Sequence, residues 1–176
     1  MWKVEALKGF FRNIYDQVFT VRKLTKKLCS DPSFVHRVGL DGLPPSQRAF
    51  QLRPRVGFVL AMYNTAKSIF AQYPELETDD KLMFLMQSRL CMLPHVQNAQ
   101  ELSTQYLAKL HVATPQWGTL DLKDKFFAVC IVIFAEEEKV NAVNPLFATD
   151  EFVQLVSRGV IQEILNAVFR ELHLGS

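Results

Sequence analysis

Residues 126–135 read Phe-Phe-Ala-Val-Cys-Ile-Val-Ile-Phe-Ala, ten positions without a charged side chain. A segment that is apolar on every side has to be surrounded, by a protein core or by a bilayer. Crossing a bilayer as a helix takes about 20 residues, so this run belongs in a core. Its β-branched content would also suit a buried strand. The flanks decide for helix: Leu122-Lys123-Asp124-Lys125 before it and Glu136-Glu137-Glu138-Lys139 after it are good helix formers, and Asp121 is placed to cap the start. The sequence therefore predicts a central apolar helix near 121–138.

The rest of the chain shows helical spacing between proline and glycine breaks, and no strand-period alternation of useful length. In residues 2–28 the apolar positions Leu7, Phe11, Ile14, Val18, Val21 and Leu28 form one stripe, with a break near Thr20. Asp31 and Pro32 suit the cap and first turn of a short helix through Arg37, which Gly39 ends. Leu43-Pro44-Pro45 and Pro54 mark residues 39–54 as an irregular connecting loop, with one helical turn at 46–50. A helix over 55–72 stops before Pro74. Thr78 is read as the cap of the next helix, with Asp79 and Asp80 in its first turn, and Pro94 stops it. Asn98 opens another helix, which ends at Thr114-Pro115, and Trp117-Gly118 falls in a loop. Thr149 opens the last helix, whose stripe includes Phe152, Leu155, Ile164 and Leu165. The expectation is an all-α, single compact multi-helix domain over 1–176, with about 6–8 helices: basic N-terminal helices over 1–38, the loop over 39–54, and a helical core over 55–172. A chain of 176 residues can bury roughly 70% of its unfolded surface, enough for such a core.

The net charge of +2 conceals a gradient. Residues 1–60 carry eleven Lys or Arg against four acids, a net of +7, and residues 61–176 carry nine against fourteen, a net of −5. A basic segment of this kind can meet phosphate, an anionic membrane, an acidic protein, or the acidic half of a second copy. The candidate interaction surface is Lys8, Arg12, Arg22, Lys23, Lys26, Lys27, Arg53 and Arg55. Glu136, Glu137 and Glu138 join it as three acids at what reads as a solvated helix end. Acids there oppose the helix dipole, which invites a cation or a basic partner.

Catalytic chemistry finds no support. There is no nucleophile elbow, phosphate-cradling glycine loop or His-Glu-x-x-His. Cys91 and His95 have the spacing of a metal pair, but Pro94 lies between them and no second pair completes a site. No cofactor and no metal are expected. Cys29, Cys91 and Cys130 are odd in number and sit in apolar helical segments, so they read as small buried hydrophobes in a reducing compartment. With no secretory leader or lipidation motif visible, an intracellular setting, cytoplasmic or nuclear, is the default.

The function these features predict is a non-enzymatic helical protein–protein interaction module, an adaptor or self-assembling subunit with a protein partner or a second copy. The alternative is RNA or DNA binding through the basic third. Membrane-surface binding through Trp2, Phe10, Phe11 and the lysines is a lesser variant. An apolar small-molecule ligand among Met83, Met86, Phe126 and Phe134 is a further alternative, against which stands the ordinary use of such residues as core.

Overall fold

Capping and proline placement explain most of the element boundaries in the computed structural model, which describes residues 19–143 and 158–171. Among these are seven α-helices and one 3-10 turn, and no strand. The helices are α1 (19–29), α2 (Pro32–Arg37), α3 (Pro45–Gln72), α4 (Thr78–Leu90), α5 (Ala99–Ala113), α6 (Leu122–Val143) and α7 (Arg158–Glu171). The 3-10 turn is Trp117–Thr119. The fold is all-α. None of the described helices is long and apolar enough to cross a membrane. The chain divides into two compact units, Met1–Leu60 and Ala61–Ser176, and each is described by itself.

In the first unit, α1 turns Leu24, Thr25 and Leu28 inward, and the Thr25 hydroxyl is satisfied by donating to the Val21 carbonyl at 2.7 Å. The first turns of the expected 2–28 helix lie outside the described residues. Asp31 caps α2 by accepting from the Ser33 and Phe34 amides, with Pro32 at the first helical position. Gly39 ends the helix with φ of 74°, where its amide donates to His36 and that of Leu40 to Val35. This pair of bonds is the Schellman closure, and it requires a left-handed residue that glycine supplies without strain.

The loop expected over 39–54 is corrected. Only residues 38–44 are irregular, and α3 begins at Pro45 and continues through Pro54. Two arginines bond to backbone carbonyls in this stretch. Arg48 donates from Nε to the carbonyls of Leu40 and Leu43 at 3.0 and 2.9 Å, and from Nη2 to that of Asp41 at 3.2 Å, which closes the turn ahead of the helix. Pro54 has no N–H for the Phe50 carbonyl and crowds that turn. One position on, Arg55 reaches back to donate from Nη1 to the Gln51 carbonyl at 2.6 Å. A side chain thus supplies a donor in the turn that the proline loosens.

In the second unit, α4 packs against α5 and α6, and α7 packs against α6. The buried stripe of α6 is Phe126, Val129, Cys130, Ile133 and Phe134, at helical spacing. Facing helices contribute Leu82, Leu85, Met86 and Leu90 from α4, and Ile161, Ile164 and Leu165 from α7. The helix is not enclosed on every side, because Phe127, Ile131 and Val132 are only half-buried. Asp121 caps α6 by accepting from the Asp124 amide at 2.9 Å, and Asn98 caps α5 through the Glu101 amide at 3.1 Å. Thr78 does not cap α4: it is the first helical residue, and Glu77 holds the cap position with no side-chain bond. The Thr149 cap of the last helix lies outside the described residues. Of the cysteines read as buried, Cys130 is buried, Cys29 is half-buried and Cys91 is exposed.

Replacing Pro54 by Ala should restore the missing backbone donor inside α3. The expected result is a gain of about 1–2 kcal/mol in urea denaturation, the relief of a mid-helix proline less its entropic benefit in the unfolded chain.

Candidate functional site

Two regions carry the polar chemistry of the described residues: a carboxylate cluster in the second unit and a cationic face on the first.

The cluster centres on Glu136. Since α6 continues to Val143, the triple-glutamate segment is interior to the helix and not at its solvated end, which corrects the expectation. Glu136 falls on the buried stripe, with a side chain only 6% exposed. An ionised carboxylate in such a place must be compensated, and three donors do so. His95 Nε2 lies 3.1 Å from Oε1, while Tyr106 Oη at 2.5 Å and Lys139 Nζ at 2.7 Å reach Oε2. The donors come from the segment after α4, from α5 and from α6 itself. Burial pushes the Glu136 carboxyl up, but the bonds from Lys139, Tyr106 and His95 outweigh it and hold the group at about 2. The same contact acts in reverse on its partner: burial first, then the bond to Glu136, raises the Tyr106 phenol well above its ordinary value.

One residue on, Glu137 accepts from Arg89 of α4 through Nε at 3.0 Å and Nη2 at 2.8 Å. Both side chains are about four-fifths buried. Burial raises the Glu137 carboxyl, with Arg89 opposing. The cation that the three acids invited is therefore supplied from within the chain. Glu138 also has its own interactions.

Beside Glu136 the surface dips into an open cavity of about 320 Å³, lined by His95, Gln97, Asn98, Glu101, Gln105 and Glu136. A second tie point lies at Asp79. It accepts from Trp117 Nε1 at 3.0 Å and meets His111 Nε2 at 2.9 Å. One carboxylate in the first turn of α4 thus holds the end of α5 and the 3-10 turn, where Trp117 is 1% exposed.

The cationic face lies on α1. Arg22, Lys23, Lys26 and Lys27 are all exposed and recur at helical spacing opposite the buried Leu24 and Leu28. Phe19, 58% exposed, extends the same stripe. Arg53 is exposed on α3, as is Phe50 at 66%. Arg55 leaves the candidate surface, since it is 2% exposed and bonded to the helix backbone. Lys8 and Arg12 lie outside the described residues. Of the residues named for an apolar ligand, Met86, Phe126 and Phe134 are buried and Met83 is half-buried.

No family model matches the chain, and no curated protein or solved structure matches it significantly.

Sequence reasoning placed the basic face but not the cluster. Tyr106 reads as one more apolar position of the α5 stripe, and His95 lies 41 residues from its carboxylate, beyond any motif spacing. Among the described residues, no group of three or more His, Cys, Asp or Glu is arranged to hold a metal ion.

The folded-state Glu136 carboxyl titrates below its ordinary value of 4.5. Its contribution to stability is therefore present above about pH 4.5 and lost as pH falls towards 2. Glu136→Gln should cost roughly 2–3 kcal/mol at neutral pH in urea denaturation. The gap from the unaltered protein should narrow as pH falls below 4.5 and close near pH 2. A deficit independent of pH would assign the loss to packing instead of charge.

Proposed function

We propose that this protein is a non-enzymatic helical interaction module that assembles with a second copy of itself, the basic stripe of one molecule meeting an acidic turn of the next. The observation that carries this reading is the separation of uncompensated charge. Arg22, Lys23, Lys26 and Arg53 are exposed and have no carboxylate partner among the described residues. Glu75, Glu77 and Asp80, about the start of α4, are likewise exposed and without a cation partner. Charges that are not needed inside the molecule are available to steer and orient an encounter.

A second reading is supported by Phe19 and Phe50, exposed aromatics on helices that also carry exposed cations. Cations for phosphate and rings for base stacking are the components of a single-strand nucleic-acid surface.

Sedimentation equilibrium at about 0.05 M salt should show a mass that rises with concentration and returns to the monomer at about 0.5 M, where screening is strong. Arg22→Glu/Lys23→Glu/Lys26→Glu and Glu75→Lys/Glu77→Lys/Asp80→Lys should each be monomeric alone. Mixing the two should restore association, because each then offers the charge the other now lacks. A monomer at every concentration and salt overturns self-assembly. Tight binding of a labelled oligonucleotide with a steep salt dependence, in a protein that does not self-associate, decides for the nucleic-acid reading.

A further inference from the structure

The surface around the start of α4 is not only acidic. Tyr73, just after α3, and Phe84, on α4, are 42% and 44% exposed. Their rings stack on each other with centroids 5.8 Å apart, so two elements share one aromatic platform that faces water. Glu77, Asp80 and Phe84 stand at i, i+3 and i+7 and are all exposed, which puts both acids on the same face of α4 as the platform. The cation of this stretch is out of the way: Lys81 is 8% exposed, with Nζ 4.7 Å from the centre of the Phe70 ring.

The stripe of α1 has the same make-up with the charge reversed. Phe19, Arg22, Lys23 and Lys26 recur at i, i+3, i+4 and i+7, all exposed. The order along the two helices is opposite. In α1 the ring comes first and the cations follow, whereas in α4 the acids come first and the ring follows. Laid antiparallel, the helices bring ring to ring and cation to acid. The spacing agrees as well, since Phe19 to Lys26 and Glu77 to Phe84 each cover about 10 Å of helix axis. With Phe19 opposite Phe84, Lys23 falls opposite Asp80 and Lys26 opposite Glu77. A parallel arrangement separates the rings, setting Phe19 against Glu77 and Lys26 against Phe84.

We propose, resting on the self-assembly reading, that Tyr73 and Phe84 receive Phe19 from α1 of a second copy, with the two helices antiparallel and in this register. An aromatic platform alone accepts any apolar side chain. Acids beside it select a ring carried on a cationic helix, which is what identifies the occupant. The two kinds of contact do different work. The aromatic centre, once cleared of water, holds the copies together, and the charged pairs around it set their alignment while contributing little each.

The test is sedimentation of full-chain variants, each checked by circular dichroism to be folded. Phe19→Ala and Phe84→Ala should each weaken self-association by about tenfold. That factor should hold between about 0.05 and 0.2 M salt, because the lost contact is apolar and is not screened. The alignment is read from charge swaps within one chain. Lys26→Glu/Glu77→Lys should recover the association that Lys26→Glu loses, and Lys26→Glu/Asp80→Lys should not. Unaltered association in Phe84→Ala overturns the anchor. A loss in Phe84→Ala without one in Phe19→Ala puts another segment on the platform and overturns it equally. No recovery in the first double variant, or equal recovery in both, overturns the register. Each of these results leaves self-assembly standing, whereas a monomer under all conditions overturns both.

Discussion

One stripe of α6 organises the second unit. Phe126, Val129, Cys130, Ile133 and Phe134 are buried along it, and both α4 and α7 pack against this helix. Each such side chain contributes about 1.5–3 kcal/mol on leaving water, against a net stability of only about 5–15 kcal/mol for a typical domain. A helix that presents five of them in line gives its neighbours a shared surface on which to dock. The same geometry constrains what comes next on the stripe, and what comes next is Glu136.

The placement of Glu136 explains why the polar chemistry of this unit is concentrated there. A carboxylate on a buried stripe is costly unless its lone pairs are occupied. Meeting that requirement recruits Tyr106 from α5 and His95 from the segment after α4, so the burial of one charge ties separate elements together. Asp79 works in the same manner through Trp117 and His111. Non-directional packing brings the helices together, while these directional bonds fix where along one another they rest. The open cavity beside Glu136 lies among the same elements, its polar groups lining it together with Val96 and Leu102.

The first unit has the opposite character. Its described residues include eight Lys or Arg and two Asp, and most of the cations face water. Arg48 and Arg55 are the exceptions, and both are used to satisfy backbone carbonyls. Arg48 closes the turn ahead of α3, and Arg55 adds a bond to the Gln51 carbonyl in the turn around Pro54. At the surface of α1, Arg22, Lys23 and Lys26 have no carboxylate partner among the described residues, and the proposed assembly rests on them.

Caps, breaks and stripes were legible in the sequence because they are local. Asp31-Pro32, Gly39, Asn98 and Asp121 act on amides and carbonyls within a few residues, and each takes the predicted role. The all-α class and the buried stripe of α6 follow from periodicity of the same short range, as does the basic stripe of α1. Where local rules conflicted, the sequence could not say which would win: Pro54 argues for a break, yet α3 runs through it from Pro45 to Gln72. The role of the three glutamates was similarly undecidable. Their partners lie 30, 41 and 48 residues away for Tyr106, His95 and Arg89, and no spacing rule reaches that far. The sequence by itself determined the helices and the segregation of charge, because both are properties of neighbouring residues. Only the tertiary structure decided which charges are consumed inside the fold and which are left to meet a partner, because that depends on which helices are brought side by side.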